Sequence, residues 1–154
     1  MESPQEPYSK SPRAGPSVRG VITIADPRWR CFVPAPERLI GRALAVAGYA
    51  PSVILADDAT VKRLNARDRG RNKPTNVLTY EVPPEIILAL GTVLREARAA
   101  GKRPAHHLAH LVIHGALHLA GEDHHNAGEA RRMERLESRL LSRIGVPNPW
   151  KYST

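Results

Sequence analysis

The sequence predicts a single α/β (α+β) domain in which a mixed β-sheet is flanked by helices. Three observations predict it. Segments with period-two apolar patterning alternate along the chain with segments of helical spacing. Glycines and prolines punctuate those segments where elements should start and stop. A chain of 154 residues is also one domain's worth, long enough to bury a core.

The first stretch, MESPQEPYSKSPRAGPS, has no apolar run and reads as a disordered Pro/Ser-rich lead over 1–17, not a secretory signal. The folded domain is expected over 18–146. VRGVITIADPRW alternates apolar and polar residues as a half-buried strand does. PERLIGRALAVAG follows as a helix, with Leu39, Ile40, Ala43, Leu44 and Ala47 on one face and Gly48 as its stop. SVILADD is a short apolar strand ending in two acids. ATVKRLNARDRG spaces Val61 and Leu64 for a helix that ends at Gly70.

TNVLTYEV and EIILAL are the next strands, and Gly91 is expected to separate the second from a helix over TVLREARAAG. PAHHLAHLVIHGALHLAG carries the clearest helix, with Pro104 in the first turn and Gly121 at the stop. AGEARRMERLESRLLSRIG closes the domain. Met133, Leu136, Leu140 and Ile144 should point inward, while Arg131, Arg132 and Arg135 interleave with Glu129, Glu134 and Glu137 on a solvated face. PNPWKYST, 147–154, is expected as a tail.

Charge narrows the partners. The chain has 23 Lys plus Arg against 15 Asp plus Glu, a net +8, which favours a polyanion such as nucleic acid. Cys31 is the only cysteine, which excludes an intrachain disulfide and a thiolate metal cluster and suits a reducing interior. No apolar run approaches the roughly 20 residues of a membrane-spanning helix, so no membrane partner is expected and the cytoplasm is the expected location. Aromatics make up 5% of the chain, too few for recognition by stacking many bases.

All seven histidines fall between His106 and His125. In HGALHLAGEDHH, His114 and His118 lie one helical turn apart on the same face, where two imidazoles can meet one ion. Gly121 can adopt the positive φ that swings His124 back as a third ligand. Three imidazoles plus water make an open, catalytic type of zinc site, one Zn2+ per chain. The spacing matches the zincin pattern HExxHxxGxxH with one exception: Gly115 stands where a metalloprotease carries its glutamate base. His106, His107, His110 and His125 read as packed or solvated histidines.

HGALHLAGEDH resembles the HGxLHLxGxDH signature of the YbeY endoribonucleases, bacterial rRNA maturation factors. RLNARDRGRNKPTNVLTY is similar to that family's LNxxxRxxxKxTDVLSF block, and ILADDATVKRLN lies upstream in the matching order, so the likeness spans roughly Val21 to Ile144. The resemblance implies metal-dependent hydrolysis of single-stranded RNA, serving small-subunit rRNA 3′-end maturation and ribosome quality control, with the ribosomal small subunit or its proteins as partners. It places His114, His118 and His124 on the family's metal ligands and Arg69 on its functionally important arginine. Departures are Asn76, Thr79 and Tyr80 within TNVLTY, Glu122 after Gly121, and PPEI with Glu85 where the family has LGDI.

The chemistry suits the residues. A zinc-bound water of lowered pKa can attack a phosphodiester, and Arg69 can fork onto phosphate oxygens as a second cation. Arg67, Arg71 and Lys73 extend that charge as a candidate track for the RNA backbone. Asp123 can hydrogen-bond an imidazole N–H or cap the helix that follows. The residues leave open whether the nucleophile is bound water or the ribose 2′-hydroxyl. Two other classes compete: a metalloprotease-like hydrolase, and a ribosome-associated RNA-binding assembly factor whose metal is structural.

Overall fold

The computed structural model describes residues 20–121 and 126–150. Along the chain run β1 (Ile22–Ile24), α1 (Trp29–Phe32), α2 (Pro36–Ala47), β2 (Ser52–Ala56), α3 (Asp58–Arg69), β3 (Val77–Glu81), β4 (Pro84–Ala89), α4 (Leu90–Ala99), α5 (Pro104–Leu119) and α6 (Ala127–Arg143). The strands form one mixed sheet in the order β1-β2-β4-β3. β1, β2 and β4 are parallel, and β3 lies antiparallel to β4 along the edge. This is the α/β architecture that the alternating segments predict.

Period-two patterning divides the sheet into two faces. Val53, Leu55, Ile86 and Leu88 enter the larger core with Ile40 and Leu44 of α2, Leu108, Val112 and Ala116 of α5, and Leu141 of α6. Leu78, Ile87 and Ala89 point the other way, against Val61 of α3. Boundary residues act as expected: Gly48 (φ 75°) and Gly70 (φ 68°) end α2 and α3 in the left-handed conformation that suits glycine. At the start of α3 the Asp57 carboxylate accepts from the Thr60 N–H at 2.8 Å.

Two boundaries differ from the sequence expectation. β1 stops at Ile24, well before Trp29, because Asp26 reverses the chain. Its carboxylate accepts from the Arg28 N–H (3.0 Å) and its carbonyl from the Trp29 N–H (3.1 Å). Trp29 is therefore not a strand residue; it begins α1, fully buried, and its Nε1–H donates to the Ala56 carbonyl at 2.9 Å.

Gly91 does not separate β4 from α4 but sits in the first turn of α4. No side chain from the helix's own N-cap, Ala89, caps it. Asp58, 34 residues earlier, does so instead, accepting from Thr92 N–H (3.0 Å), Thr92 Oγ1 (3.2 Å) and Arg95 (3.0 Å). A Cβ at Gly91 would stand 2.6 Å from Asp58 Oδ2. Gly91→Ala is expected to lower the unfolding free energy by about 1–3 kcal/mol although alanine is the better helix former. Equal denaturant midpoints for parent and variant would show that the cap yields at no cost.

Beyond α6, Val146 is buried and the chain stays against the helix as far as Trp150. Asn148 Oδ1 accepts from Ser138 Oγ (2.9 Å) and from the Trp150 N–H (2.8 Å).

Candidate functional site

α5 crosses the sheet at Gly115, and that crossing sets the site. A Cβ on Gly115 would lie 3.0 Å from Ile86 Cδ1 and 3.5 Å from Thr79 Cγ2, so the residue's missing side chain is the space the sheet occupies. His114 and His118 flank this contact, one turn apart on the same face of α5. His118 is exposed and the His114 side chain is 40% exposed, so both imidazoles reach solvent. Helix α5 then turns at Gly121, whose φ of 105° is the conformation the sequence requires of it. Glu122, Asp123, His124 and His125 lie outside the described residues, including the third predicted ligand and the carboxylate expected beside it.

His114 has a partner that the sequence reading assigned elsewhere. Glu137, expected on the solvated face of α6, is 1% exposed. Its Oε2 lies 2.5 Å from His114 Nδ1 and its Oε1 3.0 Å from His110 Nε2. Burial opposes its ionisation, but the hydrogen bonds from His110 and His114 outweigh that and hold the carboxyl down at about 2. The signal was in the spacing: Glu137 is four residues after Met133 and three before Leu140, on the apolar stripe itself. An acid there must have a buried partner.

His107 and His110 make packing and hydrogen-bond contacts within the fold. His107 donates or accepts through Nε2 at 2.9 Å from Glu96 Oε1, and burial lowers its pKa despite that carboxylate. The same oxygen accepts from Asn76 Nδ2 at 2.9 Å. An amide at position 76 therefore donates to Glu96, where an aspartate would repel it. His110 packs edge-on against Trp150, ring centroids 5.3 Å apart.

Arg69 leaves the end of α3 and reaches the outer edge of β3, where Nη2 donates to the Thr79 carbonyl. Its guanidinium stands over the Tyr80 ring, 5.3 Å from the centroid. Thr79 thus links the two halves of the site: its carbonyl holds Arg69 while its methyl faces Gly115. Tyr80 is fixed in turn by its hydroxyl, which donates to Asp68 at 2.7 Å. Arg67 grips the same carboxylate at 2.7 Å, and these two hydrogen bonds hold the Asp68 carboxyl at about 2. Of the predicted basic track, Arg67 is accordingly offset by an adjacent anion.

Arg69, Arg71 and Lys73 line one cavity of about 710 Å³, which Thr92 and Glu96 line as well. Asn65, buried beneath the loop, shapes it: its side chain donates to the Lys73 carbonyl at 3.0 Å and its own carbonyl accepts from the Arg71 N–H at 3.2 Å. Glu85 lies on the sheet face that Tyr80 presents to Arg69. It pairs with Tyr80 across the β3–β4 hairpin, on the sheet face opposite α5.

The donor set fits part of a His₃ metal site. With Nδ1 of His114 engaged by Glu137, Nε2 is the nitrogen that would suit coordination, and His118 follows one turn on. Among the described residues no three His, Cys, Asp or Glu side chains gather to hold a metal, and His124 is not among them. Among the described residues, too, no helix is long and apolar enough to cross a membrane.

Comparison with known proteins identifies the relatives of this chain. The family profile described as Endoribonuclease YbeY matches residues 40–145. The Endoribonuclease YbeY of Gluconobacter oxydans is 54% identical over 145 residues, covering 84% of this chain and 86% of its own. That of Azorhizobium caulinodans is 38% identical over 149 residues, 84% of this chain and 94% of its own. The solution structure of a Thermotoga maritima protein superposes with a TM-score of 0.61 at 25% identity, over 84% of this chain and 89% of that one. With the family profile spanning most of the folded chain and relatives this close over most of their length, the chain belongs to the YbeY endoribonuclease family.

Proposed function

We propose that the chain is a zinc-dependent endoribonuclease specific for single-stranded RNA, acting on rRNA precursors in small-subunit 3′-end maturation and ribosome quality control. One observation supports the reading: at Thr79 on the β3 edge the carbonyl accepts from Arg69, while the methyl lies against Gly115, the α5 residue between His114 and His118. His114, His118 and His124 would hold the ion. Zinc so bound supplies a Lewis acid and lowers the pKa of a coordinated water toward about 7.

The chain's own residues supply the rest. A phosphodiester carries negative charge that grows as phosphorus becomes five-coordinate, and Arg69 can donate to those oxygens with the donors that Thr79 does not use. Arg71 and Lys73 line the same cavity as Arg69 and suit a phosphate backbone. The +8 net charge acts in the same direction, drawing a polyanion toward the chain.

The protease alternative loses support at two points. Gly115 faces Ile86 and Thr79, so a glutamate there would strike the sheet rather than reach a bound water. One acceptor of the β3 edge is also taken already. Ala89 N–H bonds to the Asn76 carbonyl, so residues 76, 78 and 80 pair inward and Val77 and Thr79 face outward. Arg69 already takes the Thr79 carbonyl that an added strand would use.

Incubation with single-stranded RNA tests the reading. Cleavage is expected to disappear with a strong chelator, to return with added zinc, and to spare a duplex of the same sequence. Cleavage that persists after complete metal removal would overturn it, and RNA binding without cleavage would favour the assembly-factor alternative.

A further inference from the structure

Glu137 is the best-buried charged group in the described residues, and nothing in the proposed chemistry uses it directly. Its two oxygens are divided between two histidines of another helix, His110 and His114, one turn apart on α5. A carboxylate only accepts hydrogen bonds, so each imidazole must present an N–H to it. For His114 that N–H is Nδ1–H, and a neutral ring then has an unprotonated Nε2.

We infer that Glu137 is a positioning residue, holding His114 in the Nδ1–H tautomer so that Nε2 is the nitrogen offered to the metal. The inference rests on the metal reading above and deepens it. Without Glu137 the ring could carry its proton on either nitrogen and rotate about its side-chain bonds. Some of those states present an N–H where a lone pair is needed.

His110 gives the carboxylate a second tether. It donates through Nε2, and its Nδ1 is buried with no hydrogen-bond partner among the described residues. An unprotonated nitrogen tolerates that position better than an N–H would, so the ring has one tautomer that satisfies both ends. The T-shaped contact with Trp150 (87° between planes) covers its open side. Tied at both oxygens, Glu137 cannot swing between rotamers. The pair of bonds makes α6 a fixed backing for the imidazole on α5.

The first test needs no variant and no metal. Long-range ¹H–¹⁵N spectra of the metal-free full chain are expected to show His114 protonated at Nδ1; a dominant Nε2–H form would overturn the inference. The second compares Glu137→Gln with the parent by competition against a zinc indicator. The amide offers one N–H and one oxygen where two acceptors are required, so one histidine must change its tautomer. Zinc Kd is expected to rise about 10–100-fold, the range typical for losing a group that orients a metal ligand. His114 spectra should become a mixture of tautomers, and Glu137→Asp should recover part of the affinity.

A zinc Kd within twofold of the parent, with the His114 spectrum unchanged, would show that Glu137 merely fills space. A parent chain that binds no zinc would instead defeat the metal reading, while the tautomer of His114 would still decide the role of Glu137.

Discussion

His114→Ala and His118→Ala are expected to reduce RNA cleavage alike, by at least about 100-fold, yet to differ in stability. On the proposed function, losing either imidazole would leave too few donors to hold the ion on which the chemistry would depend. Their surroundings are not alike. His114 is one of two hydrogen-bond partners of a carboxylate that is 1% exposed. Its removal leaves a buried oxygen unsatisfied, which costs about 1–3 kcal/mol. His118 is exposed on the same helix, and surface substitutions typically change stability by about 0.5 kcal/mol or less.

Cleavage assays beside thermal melts in chelator separate the two effects. The expected pattern is equal loss of activity with a lowered melting temperature for His114→Ala alone. If activity fell only where stability fell, the imidazoles would be packing groups and the shared metal would be excluded as the cause.

That asymmetry marks how far the sequence could be read. The bounds of α5 were legible because Pro104 and Gly121 have stereochemical roles that no tertiary contact overrides: proline lacks a helical donor, and Gly121 takes a φ of 105°. His114, His118 and Gly121 were legible for the same reason, since helical spacing puts the two rings on one face. Arg69 is singled out only through resemblance, because a lone arginine in RDRGR looks like any solvated cation.

Contacts between distant segments were not legible. Asp58 caps a helix 34 residues away, and local patterning at Gly91 reads as a break because the capping carboxylate is elsewhere in the chain. Glu137 was misplaced by its charge. Its neighbours Glu134 and Arg135 belong on a wet surface, and the sign of a side chain outweighed its register in the reading. Asn76 shows the converse: a departure from the family pattern becomes intelligible once Glu96 is seen to need a donor at 2.9 Å.

Arg69→Ala is expected to reduce cleavage about 100-fold or more while leaving zinc content unchanged, a loss comparable to deleting one donor to a developing oxyanion. The guanidinium serves two surfaces at once. One arm holds the Thr79 carbonyl at the β3 edge and its face rests on Tyr80, which together fix its direction. A guanidinium carries five donors in a rigid fork, so several remain for phosphate oxygens after Thr79 has taken one. Arg69→Lys isolates that geometry. A lysine keeps the charge and can reach either the carbonyl or a phosphate, but it cannot fork across both. The lysine variant is therefore expected to retain RNA binding within severalfold and to cleave about 10-fold or more slowly, so that kcat falls further than KM rises. The opposite split, with KM rising and kcat intact, would make Arg69 a docking cation only. A folded variant that had lost its zinc would show instead that the arginine supports the imidazoles through Thr79 and Gly115, and its direct role toward RNA would fall.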